Sequence, residues 1–346
     1  MISTMSITLR DVADKANVSP STVSRILNNK DSKIPISQET RKRVLQAAQD
    51  VGYKPNMAAR HLAQRQSFAL IGAIVPKTVP AVLAHPFYML ILHGIAQYCQ
   101  EKEYAVAIYF VDTDQEEMVE SVYPRIANIP VDGFILTSVK SNDRLVPRFQ
   151  ADNIPFVQIG RTPEPDETPL HFVDVDNYGG AVTAVNHLIQ RGHQKIATIA
   201  GPQDMAAGID RLRGYQDSLQ QAGITLTPNW IKTGDFEPES GYEAMTQILD
   251  APDGLPTAVF AASDSMSDGA YKAIYERELR IPEDIAVIGF DDNKLYTNNS
   301  PPLTTILQPI NQLGENAAEL LLQILSDTAL SDHLILQPEL IIRQST

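Results

Sequence analysis

The chain lacks the features that mark secreted and membrane-spanning proteins. Its single cysteine, Cys99, excludes a disulfide within the chain and suits a reducing compartment. No stretch reaches the run of about 20 apolar residues that crosses a bilayer. Residues 1–10 also lack the apolar segment of a secretory signal peptide. We therefore expect a cytoplasmic protein without a membrane partner.

Motifs that carry common enzyme chemistry are missing as well. The chain has no G-x-S-x-G nucleophile turn, no phosphate-binding P-loop, no G-x-G-x-x-G turn and no H-E-x-x-H zinc motif. Its seven histidines have no metal-ligand spacing. We expect no enzyme activity, no cofactor and no metal. Asp291 and Asp292 could hold Mg²⁺ at a strand end, which keeps an enzyme open as an alternative.

Charge is distributed unevenly along the chain. Residues 1–66 contain 11 Lys and Arg against 5 Asp and Glu, a balance of +6, whereas the whole chain carries −14. The remaining 280 residues therefore carry −20. A basic head on an acidic body confines attraction for a polyanion to the N-terminal end.

Residues 8–28 have the pattern of two short helices joined by a tight turn. An apolar stripe with helical spacing follows Thr8, and Asn17 suits a left-handed corner. Ser19 and Pro20 suit the N-cap and first position of the second helix. The small polar face of that helix could enter the major groove, although the pattern alone also fits a structural helical hairpin. The expected groove contacts are Ser19, Pro20, Ser21, Thr22, Ser24, Arg25 and Asn28.

A third helix is predicted from Ser37 to about Val51, closed by Gly52. It carries Arg41, Lys42 and Arg43 near its start. A helix N-terminus disfavours positive charge, so these side chains are interpreted as phosphate contacts.

After residue 66, apolar runs typical of buried strands alternate with amphipathic helices. The runs form two groups, FALIGAIVP, YAVAIYF, DGFILTS and PFVQIG, then KIATIAG, TAVFAAS and DIAVIGF. The segment HFVDVDNYGGAVTAVNHLIQRGH reads as a crossover helix capped near Asp176 and ended by Gly192. This order predicts an α/β fold with two doubly wound lobes. The helix at 310–325 and the final strands are expected to complete the second lobe.

Several polar residues lie where such lobes bind ligands. Arg211, Asp264 and Asp291 each come after a predicted strand, and Phe236 follows the strand near Trp230. Carboxylates and a guanidinium can hydrogen-bond pairs of sugar hydroxyls, and an aromatic ring can stack on the apolar face of the sugar. Each residue alone would also suit a strand-end cap or a loop charge.

Seven motifs occur along the chain in the order TLRDVADKANVSPSTVSRILN, YKPNMAARHLA, VDVDNYGGA, RLRGY, AASD, PEDIAVIGFDD and PPLTTILQP. Together they resemble the LacI/GalR family of bacterial transcription regulators over essentially the whole chain. The resemblance implies a helix-turn-helix DNA-binding headpiece (1–55), a hinge helix and linker (56–66), and a two-lobed effector-binding and dimerisation domain like the periplasmic binding proteins (67–346).

The resemblance also implies partners and contacts. A homodimer would bind double-stranded DNA at a palindromic operator, with two hinge helices ordered in the minor groove. The further DNA contacts implied are Thr8, Leu9, Asn56, Ala59 and Leu62. The effector contacts implied are His85, Phe87, Arg161, Arg211, Phe236, Asp264, Asp291 and Gln308.

Two resemblances compete over the effector. The runs IATIAGPQDMAAGIDRLRGY, GRTP and FAASD are similar to regulators of cellobiose and plant-oligosaccharide use, whereas GDFEPESGY resembles purine repressors. Met205 and Ala207 cannot hydrogen-bond a base, so we expect a repressor of sugar-utilisation genes that an oligosaccharide or glycoside releases from, or retains on, its operator. A purine-responsive repressor with a corepressor and a sugar-binding transport protein are the alternatives.

Overall fold

The computed structural model describes residues 7–27, 36–53, 67–77, 85–163, 170–296 and 299–346. The chain forms two compact units, residues 1–68 and 69–346. Four of the expected DNA contacts lie outside the described residues: Asn28, Asn56, Ala59 and Leu62. Within the described ranges, no helix is both long and apolar enough to cross a membrane.

The first unit contains three described helices: α1 (Leu9–Ala16), α2 (Pro20–Leu27) and α3 (Gln38–Val51). Asn17 takes the expected left-handed conformation, with φ 49°, between α1 and α2. Ser19 Oγ accepts a hydrogen bond from the Thr22 backbone N–H at 3.2 Å and thereby caps α2. Gly52 closes α3 with φ 68°. The predicted helix-turn-helix and third helix are confirmed.

A small apolar core holds these helices together. Val12, Val23 and Val44 contribute one fully buried side chain from each helix. Arg43 Nε donates to the Ala16 carbonyl at 2.9 Å, so this side chain closes the C-terminal end of α1. This contact gives Arg43 a role in folding, while its interpretation as a phosphate contact stays a prediction. Lys42 is exposed.

The second unit is built from strands and helices that alternate along the chain. The strands are β1 (Leu70–Val75), β2 (Ala105–Phe110), β3 (Gly133–Leu136), β4 (Phe156–Ile159), β5 (Phe172–Val175), β6 (Ile196–Ala200), β7 (Ile231–Thr233), β8 (Ala258–Ala261), β9 (Ala286–Asp291), β10 (Thr304–Leu307), β11 (His333–Leu336) and β12 (Glu339–Ile341). The helices are α4 (Pro86–Glu101), α5 (Glu116–Ile126), α6 (Leu145–Ala151), α7 (Asn177–Gln190), α8 (Ala206–Gln221), α9 (Pro238–Leu249), α10 (Asp264–Glu276) and α11 (Ile310–Leu325).

These strands form two open sheets, each at the centre of one lobe. The order is β11-β5-β4-β3-β1-β2 in lobe 1 and β12-β10-β9-β8-β6-β7 in lobe 2. All pairs are parallel except the antiparallel β10–β12 pair. Apolar clusters cover both faces of each sheet, as the continuous apolar runs predicted. The predicted two-lobed α/β fold is confirmed, whereas the sequence pattern predicted no strand at β5.

The position of α11 corrects one expectation. This helix packs on α4 and on lobe 1 strands, with Leu313 and Leu321 in the same core as Ile91. A Cβ added at Gly314 would lie 2.1 Å from the Ile91 carbonyl oxygen, and one at Gly94 would lie 2.1 Å from the Asn311 carbonyl oxygen. Two glycines therefore permit the close approach of α4 and α11. The 310–325 helix completes the first lobe, not the second.

The chain passes between the lobes at three places. It leaves lobe 1 between β5 and α7, returns between β10 and α11, and leaves again between β11 and β12. The final strands are consequently divided, since β11 pairs with β5 and β12 pairs with β10. Each lobe is built from segments that are distant in sequence.

Candidate functional site

The two lobes enclose a cleft of about 440 Å³ at the carboxyl ends of their parallel strands. Ligands of doubly wound sheets bind at this edge. Seven of the eight expected effector residues line the cleft: His85, Phe87, Arg161, Arg211, Phe236, Asp291 and Gln308. The structure therefore brings together residues that are up to 223 positions apart in sequence.

Arg211 lies on α8 and forms the floor of the cleft, with 4% of its surface exposed. Its guanidinium donates to Asn177 Oδ1 and to the Ala262 carbonyl, the latter at 2.6 Å. It also stacks 3.7 Å from the centre of the Phe290 ring. Burial lowers the pKa of Arg211, while nearby carboxylates led by Asp291 oppose that shift. The side chain presents a fixed cationic fork to a ligand.

Asp291 ends β9 beside this fork. Its Oδ1 lies 3.8 Å from Arg211 Nη1 and accepts a hydrogen bond from Gln308 Nε2. The backbone φ is 128°, a value that side-chain-bearing residues rarely adopt. Burial raises the pKa of Asp291 to about 6, although Arg211 and Gln308 oppose the shift. This carboxylate can accept hydrogen bonds from ligand hydroxyls when it is ionised.

Asp264 does not line the cleft with the other expected effector residues. Its side chain is fully buried, with Oδ2 accepting from the Asn293 backbone N–H at 2.7 Å. Its Oδ1 accepts from the Thr305 hydroxyl at 2.5 Å. Asp264 thus braces the loop that follows Asp291, and Gly289 leaves room for the carboxylate. The geometry gives it a supporting position behind Asp291.

Two aromatic side chains flank the polar floor. Phe87 lies on the first turn of α4 in lobe 1, and Phe236 follows β7 in lobe 2. Phe236 has φ 73°, and a Cβ on Gly201 would come within 2.4 Å of its ring. Glycine at 201 is therefore required for this ring to lie over the cleft. Both rings offer apolar faces suited to stacking.

Opposite charges face each other across the cleft and form what we term the clasp. Three basic side chains of lobe 1 lie opposite three carboxylates of lobe 2: His85–Glu237 at 3.7 Å, Lys140–Asp204 at 3.8 Å and Arg161–Asp210 at 2.7 Å. The Ser141 backbone N–H also donates to the Asp204 carbonyl at 2.8 Å. Burial lowers the pKa of His85 and raises that of Glu237, so this pair is the weakest of the three at neutral pH.

Several residues of the site were not predicted from the sequence. Lys140, Asn177 and Glu237 all line the cleft. Asn177 lies within the quoted motif VDVDNYGGA, directly after the predicted cap Asp176, so its location at a helix start was available. The partners of Lys140 and Glu237 come from the other lobe, and no local pattern identifies such pairs.

The Mg²⁺ alternative does not fit the geometry. Asp292 turns away from the cleft and pairs with Lys294 at 2.6 Å and Arg343 at 2.5 Å, while Asp291 faces Arg211. The described ranges contain no group of three or more potential metal-ligating side chains.

The polar face of α2 forms a second candidate site, in the first unit. Val23 and Ile26 are buried, and the opposite side is at least partly exposed. Ser19 Oγ lies 2.8 Å from Ser21 Oγ and 2.9 Å from Thr22 Oγ1, which groups hydroxyls at the start of the helix. The groove contacts predicted on α2 within the described residues are Pro20, Ser21, Thr22, Ser24 and Arg25.

Family models match both units. Residues 8–56 match the model described as bacterial regulatory proteins, lacI family, and residues 185–346 match the periplasmic binding protein-like domain. The order of these matches agrees with the fold, because the helix-turn-helix precedes the two lobes.

Curated relatives match over nearly the whole chain. The transcriptional regulator CelR of Thermobifida fusca is 37% identical over 340 residues, covering 98% of both chains. The transcriptional repressor PurR of Histophilus somni (strain 2336) is 33% identical over 340 residues, again covering 98% of both chains.

Solved structures give the same result. A CelR–cellobiose complex has a TM-score of 0.76 at 34% identity and covers 98% of this chain and 100% of that one. A lac repressor dimer bound to operator and the anti-inducer ONPF has a TM-score of 0.81 at 30% identity, and the match covers 98% of this chain and 99% of that one. These full-length relatives, together with the helix-turn-helix and the cleft, show that the chain belongs to the LacI family of bacterial regulatory proteins and is a DNA-binding transcriptional regulator rather than an enzyme.

Proposed function

We propose that this regulator is a repressor whose operator affinity is controlled by an oligosaccharide of the cellobiose type bound in the cleft. The observation that carries the proposal is that the Arg211–Asp291 pair and the rings of Phe87 and Phe236 line one cavity. Charged groups hydrogen-bond vicinal hydroxyls, and the rings cover the apolar faces of the sugar. The similarity to CelR, solved with cellobiose, supports the same class of ligand.

A purine is the second candidate. The PurR relative and the ring of Phe236, which could stack on a base, favour it. Met205 and Ala207 oppose it, because both line the cleft with groups that cannot hydrogen-bond a base. The GDFEPESGY resemblance is explained by the loop after β7, which positions Phe236 for either ligand.

At the DNA end, the proposal is a homodimer on a palindromic operator. The contacts proposed from the described headpiece are Thr8, Leu9, Ser19, Pro20, Ser21, Thr22, Ser24 and Arg25. The lac repressor dimer on its operator supports this arrangement. Exposed apolar side chains on lobe 1, including Met89 and Phe110 at 44% and 42% exposure, suit a subunit interface. Operator binding places the protein in the cytoplasm in this proposal.

Calorimetric titration with cellobiose tests the effector assignment, with xylobiose, maltose, glucose, hypoxanthine and guanine as competitors. Binding of a β-linked disaccharide, together with a change in operator affinity measured by fluorescence anisotropy, is the expected result. Asp291→Ala should remove sugar binding and leave operator binding intact, whereas the surface control Asp250→Ala should change neither. Binding of hypoxanthine or guanine alone would overturn the proposal in favour of the purine candidate.

A further inference from the structure

Asn177 is the first residue of α7, where the chain first passes from lobe 1 to lobe 2. It is 2% exposed, and its amide makes four hydrogen bonds. Oδ1 accepts from Arg211 Nε at 2.9 Å and Nη2 at 2.7 Å. Nδ2 donates to Asp174 Oδ1 and to the Val175 carbonyl, both at 3.0 Å. The amide is therefore committed to protein groups on both sides of the crossover.

These contacts continue into lobe 1 and return to lobe 2. Asp174, at the end of β5, accepts from Arg161 Nη1 at 3.3 Å. Arg161 Nη1 also donates to Asp210 Oδ2 at 2.7 Å. Asp210 directly precedes Arg211 on α8, so the backbone between these two residues closes the chain of hydrogen bonds into a ring that passes through both lobes and one crossover. We call this set of residues the crossover ring.

Rotation of one lobe against the other must alter the crossover ring. Arg161 and Asp174 belong to lobe 1, and Asp210 and Arg211 belong to lobe 2. Asn177 is the only described residue that bonds both Asp174 and Arg211 through its side chain. Buried hydrogen bonds of charged groups are strong and directional, so displacement of the guanidinium is resisted by the strand end of lobe 1.

We propose that Asn177 is the positioning residue that couples the effector contact at Arg211 to the relative orientation of the two lobes. It acts through Arg211 and does not itself bind the effector. A ligand that pulls or turns the guanidinium shifts Asn177, and Asn177 transmits the shift to Asp174 at the crossover. This inference rests on the proposed function, because the effector is taken to contact Arg211.

A substitution of nearly equal size tests the oxygen and the nitrogen of the Asn177 amide separately. Asn177→Asp keeps an oxygen for Arg211, loses both donors and puts a second carboxylate against Asp174. The reciprocal double variant Asp174→Asn/Asn177→Asp restores a donor–acceptor pair between the two positions with the ring charge unchanged. Asn229→Asp is the matched control, since Asn229 Nδ2 donates to Asp253 at 2.8 Å on the exposed surface of lobe 2.

The coupling is the ratio of operator affinities without and with saturating cellobiose, measured on the full-length protein. An effector commonly changes such an affinity by about 5–150-fold. For Asn177→Asp we expect that ratio to fall within about threefold of one, while the cellobiose Kd stays within about tenfold of the wild-type value. The reciprocal double variant should regain coupling, and the control should keep it.

The coupling measured in the variants can support or overturn the proposed role of Asn177. Full coupling in Asn177→Asp, or a loss that the reciprocal exchange does not repair, would overturn the inference. If the single variant does not fold, coupling in the reciprocal variant supports the inference and its absence overturns it. If cellobiose does not bind the wild-type protein, the proposed function fails separately. The melting temperatures without ligand then decide the inference: Asn177→Asp must melt below Asn229→Asp and be rescued by the exchange, and equal values overturn it.

Discussion

Asp291 combines an unfavourable backbone conformation with a largely buried carboxylate, and the Asp264 side chain holds the loop that follows it. The φ of 128° and the neighbouring Asp292 φ of 53° persist because Asp264 holds the following loop through the Asn293 N–H. The conformational free energy of such backbone angles is tolerated where a side chain must point in a direction that ordinary strand geometry does not allow. At this position the direction is toward Arg211 and the ligand.

The pKa of Asp291 makes effector binding dependent on pH. Burial raises this pKa to about 6, so the carboxylate is ionised at pH 7.5 and increasingly protonated as the pH falls through 6. If the ionised form accepts the hydroxyl hydrogen bonds, cellobiose affinity should fall by about tenfold for each pH unit below 6. Calorimetry between pH 7.5 and 5 measures this dependence.

Asp291→Asn should bind cellobiose weakly and show a flat pH profile over the same range. Asp250→Asn, at an exposed position of lobe 2, should retain the wild-type profile. An affinity of the wild-type protein that is constant down to pH 5 would contradict the assignment of Asp291 as an ionised acceptor.

Local sequence patterns predicted those helices and strands whose formation depends mainly on neighbouring residues. Continuous apolar runs predicted β1 to β4, β6, β8 and β9, and capping residues predicted the bounds of α1 to α3. The pattern missed β5, whose four residues include the charged Asp174. It also assigned α11 to the wrong lobe, because membership of a lobe depends on crossovers between distant segments. The pairs of the clasp were missed for the same reason, since the partners of each pair lie in different lobes.

The α4–α11 contact tests this packing directly. Gly314→Ala places a methyl group against the Ile91 carbonyl, and such overpacking costs about 1–3 kcal/mol. We expect a melting temperature lower by about 2–9 °C in a domain of this size. Gln312→Ala, exposed on the same helix, should change the melting temperature little. An unchanged value for Gly314→Ala would show that the two helices separate without cost.

Helices α2 and α3 should contribute to DNA binding in different ways. Arg25→Ala on α2 is expected to cost about 1–3 kcal/mol and to relax the preference at one base pair of each half-site. Lys42→Ala on α3 should weaken binding to all sequences alike and reduce the salt slope by about one. Anisotropy titrations over single-base operator variants at several salt concentrations distinguish the two. If Arg25→Ala still distinguished all single-base operator variants as the wild-type protein does, the assignment of α2 to the major groove would be contradicted.

The clasp between the two lobes should make binding of an uncharged sugar depend on salt. Cellobiose carries no charge, so salt can act only through the protein. Exposed ion pairs contribute about 0.2–1 kcal/mol each and are screened at high ionic strength. We expect cellobiose affinity to fall about two- to tenfold between 50 and 500 mM NaCl.

The Lys140–Asp204 pair offers a specific check of this dependence. Asp204→Asn removes one partner at 3.8 Å and should reduce the salt dependence, whereas Asp250→Asn should not. Equal cellobiose affinities of the wild-type protein at both salt concentrations would contradict a contribution of the clasp to sugar binding.

The three passages between the lobes also constrain how this protein can change over evolutionary time. Neither lobe is encoded by a continuous stretch of gene, because α11 and β11 of lobe 1 follow all but one strand of lobe 2 along the chain. A single recombination event between residues 177 and 336 would therefore divide the cores of both lobes, and one earlier in the lobes would divide the core of lobe 1. The headpiece, by contrast, is continuous up to residue 68 and can be exchanged by one event. One event at this junction joins a headpiece of new operator specificity to an existing effector unit, whereas lobes from two different proteins cannot be combined by one event.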